Sequence, residues 1–144
     1  MSRRSAVLGI VVAIVIGTMS AGPCEAKDPV GASITFCSNV GKSSGKMYGV
    51  ADSFVLKSGK KLRGVVDVEN AEPGEELVFH LLWVKPTGKK AFVKRVAMTP
   101  EESTTRFQTS LSLNPEKREA GTYLLKVYLF RKLLVAREVD LQSS

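Results

Sequence analysis

Residues 119–130 read Glu-Ala-Gly-Thr-Tyr-Leu-Leu-Lys-Val-Tyr-Leu-Phe, and their period is two. Tyr123, Leu125, Val127 and Leu129 fall on one phase; Leu124, Lys126, Tyr128 and Phe130 fall on the other. Such alternation turns one set of side chains toward a core and the other outward, as in a β-strand. The same period recurs upstream. Leu62, Gly64, Val66 and Val68 alternate with Arg63, Val65, Asp67 and Glu69. Leu77, Phe79, Leu81 and Trp83 alternate with Val78, His80, Leu82 and Val84. Phe107, Thr109, Leu111 and Leu113 alternate with Gln108, Ser110 and Ser112. Turn formers separate these runs at residues 57–60, 72–75, 86–89, 99–101 and 114–116, each with Gly or Pro. Strands at this spacing predict an all-β sandwich or barrel. No helix of useful length and no internal repeat is expected in this part of the chain.

The first residues have a different character. Arg3 and Arg4 precede an apolar run of 12 residues, Ala6 to Gly17, and Cys24-Glu25-Ala26 follows a looser stretch. A basic start, a short apolar stretch and small residues at a cleavage site describe a secretory signal. The apolar run is shorter than the roughly 20 residues of a spanning helix. Residues 1–26 are therefore expected to be a signal peptide, cleaved before Lys27, and the protein to be exported to the periplasm or the outside. An uncleaved membrane anchor and a lipid-modified Cys24 are the alternatives; Pro23 before the cysteine fits the second poorly. Cleavage would leave 118 of the 144 residues, enough for one domain, with Cys37 as its one thiol. No internal disulfide could then form. Residues 27–52 read as a lead-in with one short strand at 33–37, and residues 53–144 as the sandwich.

Glu119-Ala-Gly-Thr-Tyr123 resembles the Asp-x-Gly-x-Tyr corner that opens strand F of immunoglobulin-like domains, with Glu where Asp is usual. The resemblance makes Tyr123 a structural residue whose hydroxyl pins the preceding connection, and Trp83 the core tryptophan of strand C. Leu125 stands at the position of the second cysteine of an antibody domain, and Val68 near that of the first. The chain thus resembles an immunoglobulin-like β-sandwich of bacterial secreted or periplasmic proteins without the inter-sheet disulfide. That implies a single antiparallel sandwich and says little about function, because this fold hosts many unrelated roles.

Little in the sequence suggests catalysis. His80 is the one histidine and falls on the outward phase, with no oriented acid or activated hydroxyl near it in sequence. One histidine and one remaining cysteine exclude the common zinc sets, and the carboxylates lack calcium-loop spacing. Residues 41–46, Gly-Lys-Ser-Ser-Gly-Lys, resemble a phosphate loop but hold three residues between the glycines instead of four, and Met47 follows the lysine. Neither an enzyme, nor a cofactor, nor a nucleic acid partner is expected.

Two surfaces are candidates. Val78 and Leu82 share the outward phase of one strand, and Leu124, Tyr128 and Phe130 that of another. Strands C and F are neighbours in immunoglobulin-like domains, so these residues would form an apolar patch able to bind an envelope or extracellular protein. Alternatively, residues 27–50 cover them. The second surface is electrostatic. Up-and-down topology gathers Lys57, Lys60, Lys61, Lys85, Lys89 and Lys90 with Arg63, Lys117 and Arg118 at one end. Glu69, Glu72, Glu75, Glu76, Glu101 and Glu102 gather at the other. The basic end is a candidate for anionic lipid or glycan. The leading expectation is a non-catalytic interaction module, monomeric or weakly dimeric.

Overall fold

The computed structural model describes residues 29–144. The expected signal peptide and its cleavage site lie outside the described residues. Ten strands follow, and all the long ones belong to two facing sheets. The first sheet has the order β1 (Gly31–Cys37), β5 (Lys61–Glu69), β8 (Thr105–Ser112). The second has the order β4 (Ser53–Val55), β10 (Lys132–Gln142), β9 (Gly121–Leu129), β6 (Leu77–Val84), β7 (Lys90–Met98). Pairing is antiparallel except where β4 runs parallel to the end of β10. A short hairpin, β2 (Asn39–Val40) and β3 (Met47–Tyr48), stands apart.

The alternation sets the inner faces. Leu77, Phe79, Leu81 and Trp83 of β6 are buried, as are Tyr123, Leu125 and Val127 of β9 and Leu62, Gly64, Val66 and Val68 of β5. They meet between the sheets in one core, joined by Phe36, Leu111, Leu113, Val139 and Leu141. Burial of this apolar surface supplies most of the folding free energy, at roughly 25 cal/mol per Å2. Trp83 lies against Phe36 and Phe92, with ring centroids 5.9 and 6.4 Å away. Tyr123 is buried and its hydroxyl donates to the Glu119 carbonyl at 2.9 Å, the corner bond that the sequence predicts.

Three features differ from the sequence expectation. The strand expected at 33–37 is β1, and it is a full partner of β5 in the sandwich, contributing Ile34 and Phe36 to the core. Second, the residue that meets Leu125 from the opposite sheet is Gly64, not Val68. A Cβ on Gly64 would sit 2.9 Å from Leu125 Cδ2 and 3.5 Å from the Trp83 ring. Glycine is needed there because the indole and Leu125 fill the space that a side chain on β5 would take. Third, Val65 is on the outward phase and yet fully buried, as is Cys37. The β2–β3 hairpin folds back over this outer face: β2 packs on β5, and Arg106 Nη1 donates to the Gly45 carbonyl at 2.7 Å. Arg106 is itself held by Asp67 at 2.6 Å.

Both open sides of the sandwich are bridged by inward-phase cations. Arg137 of β10 donates to the Ile34 carbonyl of β1 and pairs with Asp52 at 2.6 Å. Lys94 of β7, directly opposite Leu81, reaches the Gln108 carbonyl of β8 at 3.1 Å. Charged side chains turned inward at an edge discourage pairing with a foreign strand.

Candidate functional site

Residues directly opposite in antiparallel strands share a face. The register therefore assembles the outer face of the second sheet in rows. His80 lies between Arg95 and Tyr128, and Tyr128 faces Leu133. In the next row Leu82 lies between Val93 and Lys126, which faces Ala136. Leu124 lies between Val84 and Glu138, while Val78 faces Ala97 at the far end. Four of the five candidate partner-binding residues, Val78, Leu82, Leu124 and Tyr128, thus share one surface. Each is half-buried by its lateral neighbours; Val93 and Leu133 are 46% and 47% exposed. Residues 29–50 do not cover this face: β1 joins the opposite sheet and the β2–β3 hairpin lies on that sheet's outer side.

Phe130 is placed differently from the expectation. It is not in β9 but at the tip of the β9–β10 turn, 56% exposed, with φ of 48°, followed by Arg131 with φ of 82°. Two consecutive positive φ values define the type I′ hairpin, which favours Asn-Gly; a bulky residue there is strained. Sequence reasoning ran the alternation one residue too far, because nothing in Leu129-Phe130-Arg131 has turn chemistry.

The basic candidates divide into separate groups at one end of the sandwich. Lys57 N–H donates to the Leu113 carbonyl and Leu113 N–H to the Lys60 carbonyl, which ties the β4–β5 turn to the end of β8. Lys57, Lys60, Lys61 and Arg63 line a cleft of about 530 Å3 with Ser38, Asn39, Phe54, Val55, Gly59 and Leu113. Lys85 instead lines a smaller depression of about 290 Å3 with Glu116, Lys117, Arg118, Glu119 and Tyr123. Lys89, in the β6–β7 connection, and Lys90, the first residue of β7 opposite Val84, are exposed and line neither. Arg63 was expected at this basic end; the apolar floor of Phe54, Val55 and Leu113 belongs to no candidate set drawn from sequence, since only the tertiary fold brings these residues beside Lys57. At the opposite end the β5–β6 and β7–β8 turns are tied by Ala71 N–H to the Ser103 carbonyl and Gly74 N–H to the Pro100 carbonyl.

Among the described residues no group of three or more His, Cys, Asp or Glu could hold a metal ion. No helix of the described residues is long and apolar enough to cross a membrane. Cys37 makes no disulfide; burial pushes its thiol pKa up, against the lowering effects of the Asn39 backbone and of Arg63 and Arg106.

Neither a family model nor a curated protein matches this sequence. Solved structures do match the fold. An immunoglobulin-like protein from Pseudomonas aeruginosa superposes with a TM-score of 0.53 at 17% identity, over 82% of this chain and 100% of that one. The alkylpurine DNA glycosylase AlkC from Pseudomonas fluorescens, bound to DNA containing an abasic site analog, gives a TM-score of 0.51 at 16% identity. That match covers 78% of this chain and 30% of the glycosylase, so the likeness is to one part of a larger enzyme. At such identities the likeness is one of fold alone. The described part of the chain is an immunoglobulin-like, all-β sandwich.

Proposed function

We propose that this protein is an exported, non-catalytic binding module that docks another envelope or extracellular protein on the outer face of its five-stranded sheet. The observation that carries the reading is the uncovered patch of Val93, Leu82, Val84, Leu124, Tyr128 and Leu133, spread over three neighbouring rows of the face. Contiguous exposed apolar surface of this kind marks interaction sites. Charge indicates the partner. Arg95 and Lys126 stand among the apolar residues, and the nearest carboxylate in the rows, Glu138, lies at a corner. A second copy stacked on this face would bring like charges together, whereas a partner presenting carboxylates would complement them. The guarded edges formed by Lys94 and Arg137 favour docking through the face over strand addition. Phe130, held in a strained turn at the end of the face, is suited to serve as an aromatic anchor.

Export is supported by the three-zone pattern of residues 1–26, and N-terminal sequencing of the secreted protein should begin at Lys27. The docking face is tested with photo-crosslinking residues placed singly at Leu82, Tyr128 and, on the opposite sheet, Ser110. The first two should capture one common protein and Ser110 should not. The purified partner should bind the parent and bind Leu82→Asp at least about tenfold more weakly, the loss of roughly one well-packed interface contact. Crosslinks only between copies of this chain, or equal capture from Ser110, would overturn the assignment.

A further inference from the structure

We infer that the cleft between the β2–β3 hairpin root, β4 and the start of β5 binds an amphipathic organic anion, a carboxylate or phosphate carried on an apolar chain. This site lies apart from the docking face, and either reading can fail without the other.

Four cations, Lys57, Lys60, Lys61 and Arg63, line the cleft and no carboxylate does. Arg106 pairs with Asp67 and Arg137 with Asp52, and none of the four cleft cations has an ion-pair partner among the described residues. All four lie within one Debye length, roughly 8–10 Å, of a ligand in a cleft this size, and their repulsion is relieved when an anion enters. The turn that carries Lys57 and Lys60 is fixed at both ends by the Leu113 backbone and closed by Lys60 N–H to the Lys57 carbonyl. Gly59 adopts φ of 78° within it. The cations are thus mounted on ordered backbone rather than on a loose loop.

The other wall is apolar. Phe54 packs against the core, Leu113 is buried, and Val55 is 51% exposed on the cleft. A bare inorganic anion would leave that surface wet; an alkyl chain would cover it while its head group reached Lys60, Lys61 and Arg63. The volume of about 530 Å3 falls within the range of small-molecule sites and accommodates one head group with part of a chain.

Isothermal titration of the protein with laurate, held below its micelle threshold, tests the assignment. Laurate should bind in a saturable one-to-one manner, and dodecylamine should not. Raising salt from about 50 to about 500 mM should weaken binding several-fold. Lys60→Glu/Lys61→Glu and Val55→Asp should each lower the affinity about tenfold or more, equivalent to one unit in log Kd. Lys89→Glu/Lys90→Glu, at the same end but outside the cleft, should leave it unchanged. Thermal melting of each variant without ligand controls for folding, and competition by laurate for a fluorescent anilinonaphthalene sulfonate probe gives an independent readout. The inference is overturned by any of four results: no saturable laurate binding, equal binding of dodecylamine, equal loss in Lys89→Glu/Lys90→Glu, or binding of inorganic phosphate that matches laurate and ignores Val55→Asp. Sedimentation with phosphatidylglycerol vesicles, in the absence of monomeric laurate binding, would overturn it in favour of a membrane surface contact.

Discussion

The indole N–H of Trp83 donates to the hydroxyl of Thr109 at 3.1 Å, and this bond crosses from one sheet to the other inside the core. Thr109 is the buried polar residue of the core, 3% exposed, and it satisfies the one donor that Trp83 brings inside. Removing a partner from a buried donor costs about 1–3 kcal/mol. Thr109→Val, nearly isosteric, should therefore destabilise by that amount. Trp83→Phe in the same chain should remove the unsatisfied donor and recover part of the loss after its own packing defect is subtracted. Trp83→Ala should cost roughly 3–5 kcal/mol. Urea melts of Thr109→Val, Trp83→Phe and the double variant against the parent give the coupling; additive losses would mean that the hydrogen bond contributes nothing.

Gly64 beneath Leu125 makes a second expectation. Gly64→Ala places a methyl 2.9 Å from Leu125 Cδ2 and 3.2 Å from Thr109 Cγ2. Overpacking of this degree costs about 1–3 kcal/mol. Shortening the obstructing side chain, Leu125→Val, should be destabilising in the parent and less so beside Gly64→Ala. Thermal denaturation of the two single variants and the double variant measures that compensation.

Cys37 and Tyr123 fix the behaviour at high pH. Burial raises both pKa values, the thiol from an ordinary 9.0 and the phenol from an ordinary 10.0. Both groups are neutral when protonated, so the unfolded chain releases each proton first. Stability is complete below the unfolded values and falls as pH rises through about 9 and then 10. Cys37→Ala should flatten the first part of that decline and Tyr123→Phe the second. Tyr123→Phe should also cost about 1 kcal/mol at neutral pH through loss of the bond to the Glu119 carbonyl. Denaturant midpoints between pH 7 and 11 check both effects; unchanged slopes in the two variants would contradict them.

The β9–β10 turn is built against its own geometry. Replacing Phe130-Arg131 by Asn-Gly suits two positive φ values, and relief of strain there should stabilise the domain by about 1 kcal/mol. The same change removes an exposed aromatic from the end of the docking face. A variant that melts higher but loses partner capture would mark the strain as retained for binding, and a variant that melts lower would show that the parent turn is unstrained.

The period-two pattern alone specified which side chains of β5, β6, β8 and β9 face inward, because burying one face requires only local alternation. It also placed Trp83 in the core, while the resemblance of residues 119–123 to the immunoglobulin-like corner implied the role of Tyr123, whose partner at Glu119 is four residues away. The outward phase of Val78, Leu82, Leu124 and Tyr128 was legible for the same reason. Tertiary structure decided what lies over each outer face. Val65 and Cys37 are buried where the β2–β3 hairpin returns to their sheet, and residues 29–50 leave the outer face of the five-stranded sheet open because β1 pairs with β5. It also decided that Gly64 meets Leu125, and that Lys57, Lys60, Lys61 and Arg63 share a cleft from which Lys89 and Lys90 are absent. Alternation reports the two faces of a single strand; which segment covers a face, and which turns converge, depends on contacts between residues far apart in the chain.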